Sequence, residues 1–383
     1  MRLVFGLVLL VLLVPVFPLS AQQAGAGGPS IHLMGFGDVN YHHQVTERDG
    51  VLDGFRLGQM VGHVNAGLTE RLTFFGEFSA TARQDGFGIE VERMILRYDF
   101  SDLFKLSLGR YHTPISFWNV AYHHGAWLQT AVARPEMIKF GSQLLPVHFV
   151  GVQVEGNLPA TPLGLGYSVG IGNGRGTNIA RGGDAGDIND RRAVSATLSA
   201  RPSALVGLQV GGSLYLDRVT PVQGAAVDER ILSAHVARQW ESPEVIAEYA
   251  RLWHEPAGVG EGESVTSDAW YAQIGYRLPG AAQAFKPYAR VERVDVPTAN
   301  PLLGQRGLGY RAGIVGVRYD FAPFAAAKAE FRNERFANPG RFGSLHLQAS
   351  FAVSGASGGA QHLSGLFERP AFSSTSVRRV VDR

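Results

Sequence analysis

The chain has 383 residues, 45% apolar and 18% charged, with 48 glycines, 19 prolines and no cysteine. Its 35 basic residues face 33 acidic ones, a formal charge of +2. Those figures exclude a disordered chain, a disulfide scaffold, a thiolate metal site and a thiol nucleophile, and they leave no basic excess for nucleic acid.

In chain order, Met1 and Arg2 precede an unbroken apolar run from Leu3 to Val14, which ends at Pro15 and Pro18 before Ala21. The run is too short to span a bilayer and has the layout of an export signal. Residues 1–21 are therefore expected to be cleaved and residues 22–30 to form a short lead. From residue 31 to 353 the dominant period is two. Val194, Ala196, Leu198 and Ala200 alternate with Ser195, Thr197, Ser199 and Arg201. Leu345, Leu347, Ala349 and Phe351 alternate with His346, Gln348 and Ser350. Strict alternation predicts strands with one apolar and one polar face. Strand centres are expected near residues 36, 60, 75, 94, 108, 151, 168, 197, 212, 235, 249, 273, 289, 316, 329 and 348. About sixteen segments of roughly ten residues each suit tilted transmembrane strands. Arg93, Arg238 and Arg251 interrupt the apolar faces of theirs.

Connections are sorted by length. Short ones, at 98–102, 201–204, 241–244, 279–282 and 320–323, carry Pro, Asp, Ser and Gly. The alternate ones, at 43–54, 112–146, 173–192, 218–229, 255–267 and 295–309, are longer and richer in glycine and charge. This sorting predicts an all-β fold, a transmembrane antiparallel β-barrel with short periplasmic turns and long external loops. A barrel of about sixteen strands is too wide for side chains to fill, so the polar face is expected to line water and the apolar face to meet outer-membrane lipid. Tyr41, Tyr98, Tyr111, Trp240, Trp253, Trp270 and Tyr319 fall where an interfacial girdle belongs. Residues 354–383, rich in glycine and serine near their start, read as a tail beyond the barrel.

Few residues point to chemistry. Gly166, Ser168 and Gly170 match a serine nucleophile elbow, but alternation runs straight through them and no helix follows, so no enzyme is expected. Asp184, Asp187, Asn189 and Asp190 crowd one loop without EF-hand spacing, and Arg191 and Arg192 follow directly. Eight of the 12 histidines precede residue 150. The pairs His42–His43 and His123–His124 meet only if two loops fold together, and adjacent strand residues point oppositely. No metal ligand set and no cofactor are expected. On the polar faces, Lys286, Arg290 and Glu292 align, as do Arg318 and Asp320, and Lys328, Glu330, Arg332 and Glu334. Opposed charges at this spacing neutralise one another, so the wall admits small solutes of either sign.

The stretch from Arg97 to Phe104, then Leu108, Gly109, Arg110, Tyr111, His112, Thr113 and Pro114, resembles a strand–turn–strand segment of the phosphate-selective porin O and P family. Gly172 to Gly176, and Arg201 with Pro202, are similar to its middle strands. The resemblance implies a sixteen-stranded, trimeric outer-membrane diffusion channel. In sixteen-stranded porins the third long loop folds into the lumen, which here is residues 112–146. Trp118, Trp127, Arg134, Glu136 and Lys139 on that loop, with Lys286, Arg290, Glu292, Arg318, Lys328 and Arg332 on the wall, are the expected pore and constriction residues. Two departures stand out. There are only four lysines (Lys105, Lys139, Lys286, Lys328) against 31 arginines, so phosphate specificity is not carried over. The chain also continues past Phe351, the terminal aromatic that barrel-assembly machinery reads in such proteins. Expected partners are thus outer-membrane lipid, small hydrophilic solutes or ions, that machinery and two further copies of the chain. The alternative is a non-conducting barrel that binds a ligand or partner.

Overall fold

The computed structural model describes residues 29–122, 124–158, 162–258, 263–337 and 340–357. The expected signal, most of the lead and the tail from residue 358 lie outside the described residues. Sixteen strands follow one another: β1 Ser30–Gln44, β2 Gly54–Gly67, β3 Leu72–Arg83, β4 Gly86–Asp99, β5 Lys105–His112, β6 His148–Asn157, β7 Leu165–Asn173 and β8 Ala193–Ala200. The second half is β9 Leu208–Val219, β10 Val227–Gln239, β11 Glu244–Pro256, β12 Val265–Gly275, β13 Phe285–Asp295, β14 Tyr310–Ala322, β15 Ala325–Phe336 and β16 Arg341–Ser357. Each expected centre falls inside the strand of the same rank. Every strand pairs antiparallel with its sequence neighbours, and β1 pairs with β16, from Ile31 opposite Ser357 to Gln44 opposite Ser344. The result is a closed barrel in which each strand pairs on both sides, so no strand is left as a free edge. β16 runs past the expected limit at Val353.

Long loops share one end, where residues 84–85 make a tight turn as an exception. Faces alternate as the sequence requires. On β13, Phe285, Pro287, Ala289 and Val291 are exposed on the outside, whereas Lys286, Tyr288, Arg290 and Glu292 are buried within.

A bulge in β4 breaks this rule. Glu77 opposes Arg93 and Phe78 opposes Val91, leaving Glu92 as the extra residue. Bulges re-aim side chains, and here Glu92 and Arg93 both end buried inside. Arg93 therefore does not interrupt an apolar face, as alternation alone had it. Arg251 does face outward, where Asp268 accepts from its Nε at 2.8 Å. Beside the bulge, Gly109 has φ +146°, and a Cβ there would lie 1.8 Å from the Met94 carbonyl oxygen. Gly109→Ala is accordingly expected to cost at least about 1–3 kcal/mol from the backbone conformation alone. The heat-modifiable folded band on a gel should fall sharply.

Tyr111 also departs from expectation. It is buried inside, stacked on Phe149 with ring centroids 5.0 Å apart, and is not a girdle residue. The interior further holds an apolar core that a water-lined wall does not foresee. Ile231, Ile246, Leu252, Tyr271 and Ile314 from β10, β11, β12 and β14 pack inward against Ile115, Phe117, Trp118, Ile138 and Leu144 from residues 113–147. Leu302 and Leu303, from residues 296–309, join them.

Candidate functional site: the loop within the barrel

Residues 113–147 run inside the wall and are mostly buried. Their entry is fixed by wall hydroxyls: Thr197 and Ser213 donate to the Pro114 carbonyl at 2.8 and 2.9 Å, and Ser233 donates to that of Ile115 at 2.5 Å. A short helix follows, α1 Phe117–Ala121, with the Ser116 side chain accepting from the Asn119 N–H. Its first N–H groups need acceptors, and Glu248 of β11 supplies them, at 2.7 Å from Phe117 N and 2.8 Å from Trp118 N. Tyr271 donates to the same carboxylate at 2.5 Å. Trp118 is fully buried, its ring edge-on to Tyr271.

Beyond α1 the loop is held by cations of the adjoining strands β13–β15. Arg318 Nη1 donates to the carbonyls of Trp127 and Gln129 at 2.5 and 2.9 Å. Lys328 Nζ donates to those of Ala126 and Ala131, and to Gln348 Oε1 at 2.9 Å. Gln348 in turn donates to Asn40 Oδ1 on β1 and to the Val132 carbonyl. Arg290 donates to the Ala133 carbonyl and to Glu292, which accepts from the Glu136 N–H at 2.6 Å. Glu330 accepts from Val132 N–H at 3.0 Å. The return leg is bound by Arg175, at 2.6 Å from the Gln143 carbonyl and 2.5 Å from that of Leu144.

Sequence reasoning placed these wall cations against water. The structure instead covers them: Lys286, Arg290 and Lys328 are no more than 3% exposed. Each of the three expected polar-face groups does contain a direct ion pair. Arg290 meets Glu292 at 2.7 Å, Arg318 meets Asp320 at 2.7 Å and Arg332 meets Glu330 at 2.5 Å. Lys286 bonds Glu244, which also accepts from Thr130 of the loop. Arg134 lies over Phe140, 3.9 Å from its ring centre, and donates to Asn119. Burial pushes its guanidinium down to about 9, which leaves it charged at neutral pH. Lys139 is apart from the rest, exposed and, among the described residues, paired with Glu136.

Other polar groups went unforeseen. Asp38, Asn40, Gln59 and Thr81 form a half-buried polar strip inside β1–β3, linked by Gln59 donating to Thr81 at 2.9 Å and by Asn40 donating to Asp38. His124 of the loop reaches this strip at Gln59 Oε1, 3.1 Å away. Its companion His123 lies outside the described residues. Asp184 is exposed and also pairs with Arg110 at 2.7 Å. Ser168 sits inside β7, buried, with no turn or helix to make it a nucleophile.

No family model matches the chain, and no curated protein matches it. Solved structures do. OmpF of Salmonella typhi, in complex with daunomycin, superposes with a TM-score of 0.57 at 11% identity, over 84% of this chain and 97% of that one. The trimer form of OmpT, an outer membrane protein of Vibrio cholerae, gives 0.56 at 13% identity, over 85% and 100%. The outer membrane channel DcaP of Acinetobacter baumannii gives 0.55 at 12% identity, over 86% and 99%. At such identities the likeness defines a class of fold, the porin-like barrel.

Proposed function

We propose that the chain is an outer-membrane porin-like channel for passive diffusion of small hydrophilic solutes or ions. The single observation that carries this reading is a closed barrel, apolar outside, with a long loop packed against the inner face of its wall. The half-buried strip of Asp38, Asn40, Gln59 and Thr81, opposite the packed wall, is the side along which water and solute pass. Export by the 1–21 signal and assembly as a homotrimer belong to the same reading, which the outer-membrane neighbours support. The likeness to phosphate-selective porins extends to the channel and not to its anion.

Reconstituted in planar bilayers, the protein should give stepwise conductance. Because the wall charges are paired, its reversal potential in a salt gradient should stay small for either ion sign. Thr81→Trp is expected to lower the step size. The bonding of the loop around the wall also favours a second reading, a non-conducting barrel that binds a partner through its long loops. Absence of steps in the intact protein, together with steps after removal of the loop, would decide for that reading.

A further inference from the structure

Four histidines and two glutamates from six separate segments meet beneath the loop: His63 of β2, Glu77 of β3, Glu92 of β4, His112 of β5, His124 of the loop and His148 of β6. Glu77 lies 2.9 Å from His63 Nε2 and 3.3 Å from His112 Nε2. Glu92 lies 3.2 Å from His124 Nε2 and 3.1 Å from His148 Nε2. The His112 ring centre is 5.3 Å from that of His148 and 6.1 Å from that of His124. One ligating atom each of Glu77, His112 and His124 falls within 4.8 Å of the others, and all three residues are buried.

We propose that Glu77, His112 and His124 form a binding site for a divalent transition-metal ion of the zinc class, which ties the loop to the wall. Metal bonds of about 2.0–2.2 Å place neighbouring ligand atoms of a tetrahedron roughly 3.3–3.5 Å apart, close to the observed contact between His112 and Glu77. Adjacent guanidinium groups orient both carboxylates, as outer-shell donors orient ligating carboxylates elsewhere. Arg93 Nε lies 2.5 Å from Glu77 and Arg110 lies 3.7 Å from Glu92. These arginines offset the carboxylate charge, so imidazole nitrogen carries the affinity. That donor balance selects zinc, nickel or copper over the oxygen-seeking calcium and magnesium. The β4 bulge is the independent sign of a built site, since it alone turns Glu92 inward beside Arg93. His124 is the one ligand of the three that the loop contributes, so the ion would bridge loop and wall.

The test is calorimetric titration of zinc chloride into the untagged, full-length, EDTA-treated protein in detergent, with calcium chloride as the comparison. No cysteine is present to take up zinc. The expected result is saturable zinc binding at one ion per chain, and no comparable calcium binding. His112→Gln and His124→Gln should each weaken it by at least about tenfold. His43→Gln, exposed and remote, should leave it unchanged. Should His112→Gln fail to give a folded barrel, His124→Gln on the loop still decides. No saturable zinc binding, equal binding by calcium, or full binding in folded His124→Gln overturns the proposal.

Discussion

Replacing residues 117–143 with a short glycine–serine linker is expected to raise single-channel conductance several-fold. The segment occupies the lumen beside β9–β14 and carries Trp118, Met137 and Ile138, all essentially unexposed. Its removal opens the space they fill and returns Ile231, Leu252 and Ile314 to water. Each large apolar side chain so exposed costs about 1.5–3 kcal/mol of burial, so the shortened barrel should also melt earlier. Selectivity should change little, because Arg290 keeps Glu292, Arg318 keeps Asp320 and Arg332 keeps Glu330 when the loop carbonyls are gone. Unchanged step size in the shortened protein would place the conducting path away from the loop.

Glu248→Ala should have the second largest effect, by unpinning the loop without shortening it. The carboxylate is buried and accepts from two N–H groups of α1, the Ser116 hydroxyl and the Tyr271 hydroxyl. Each buried donor left without an acceptor costs on the order of 1–3 kcal/mol. The loop, rather than the ladder, should absorb that cost, because the β11 backbone pairing does not depend on this side chain. Limited proteolysis should therefore cut near residues 117–122 while the gel-shifted barrel band persists, and open-channel noise should rise. Glu248→Gln, which keeps one acceptor oxygen in place, should fall between the parent and the alanine variant. A resistant loop in folded Glu248→Ala would show that wall cations alone suffice to hold it.

The architecture was legible because strand alternation and turn chemistry are local. Leu345 to Phe351 announces its two faces without reference to any other strand. What escaped depends on which segments meet. Inward positions such as Ile231, Leu252 and Ile314 are apolar because the loop covers them, so polarity ceases to report orientation there. Lys286, Arg290 and Lys328 read as water-lining cations for the same reason in reverse. The acceptors of Arg290 and Lys328 include loop carbonyls, which carry no sequence signature. Glu92 and Arg93 could not both be placed inward by a period of two, since a bulge shifts the phase by one residue. The histidines were visible as an excess before residue 150, but their convergence needed five strands and a loop to close. Glu248 had no signal at all beyond an alternating glutamate.

The position of Gln348 carries a consequence for how the molecule is completed. It sits on the final strand, receives Lys328, bonds Asn40 across the seam with the first strand and reaches the loop at Val132. One amide thus joins two parts of the structure at once, the closure of the ring and the docking of the insert. Because each event prepares acceptors or donors for the other, they are thermodynamically linked and should promote one another equally.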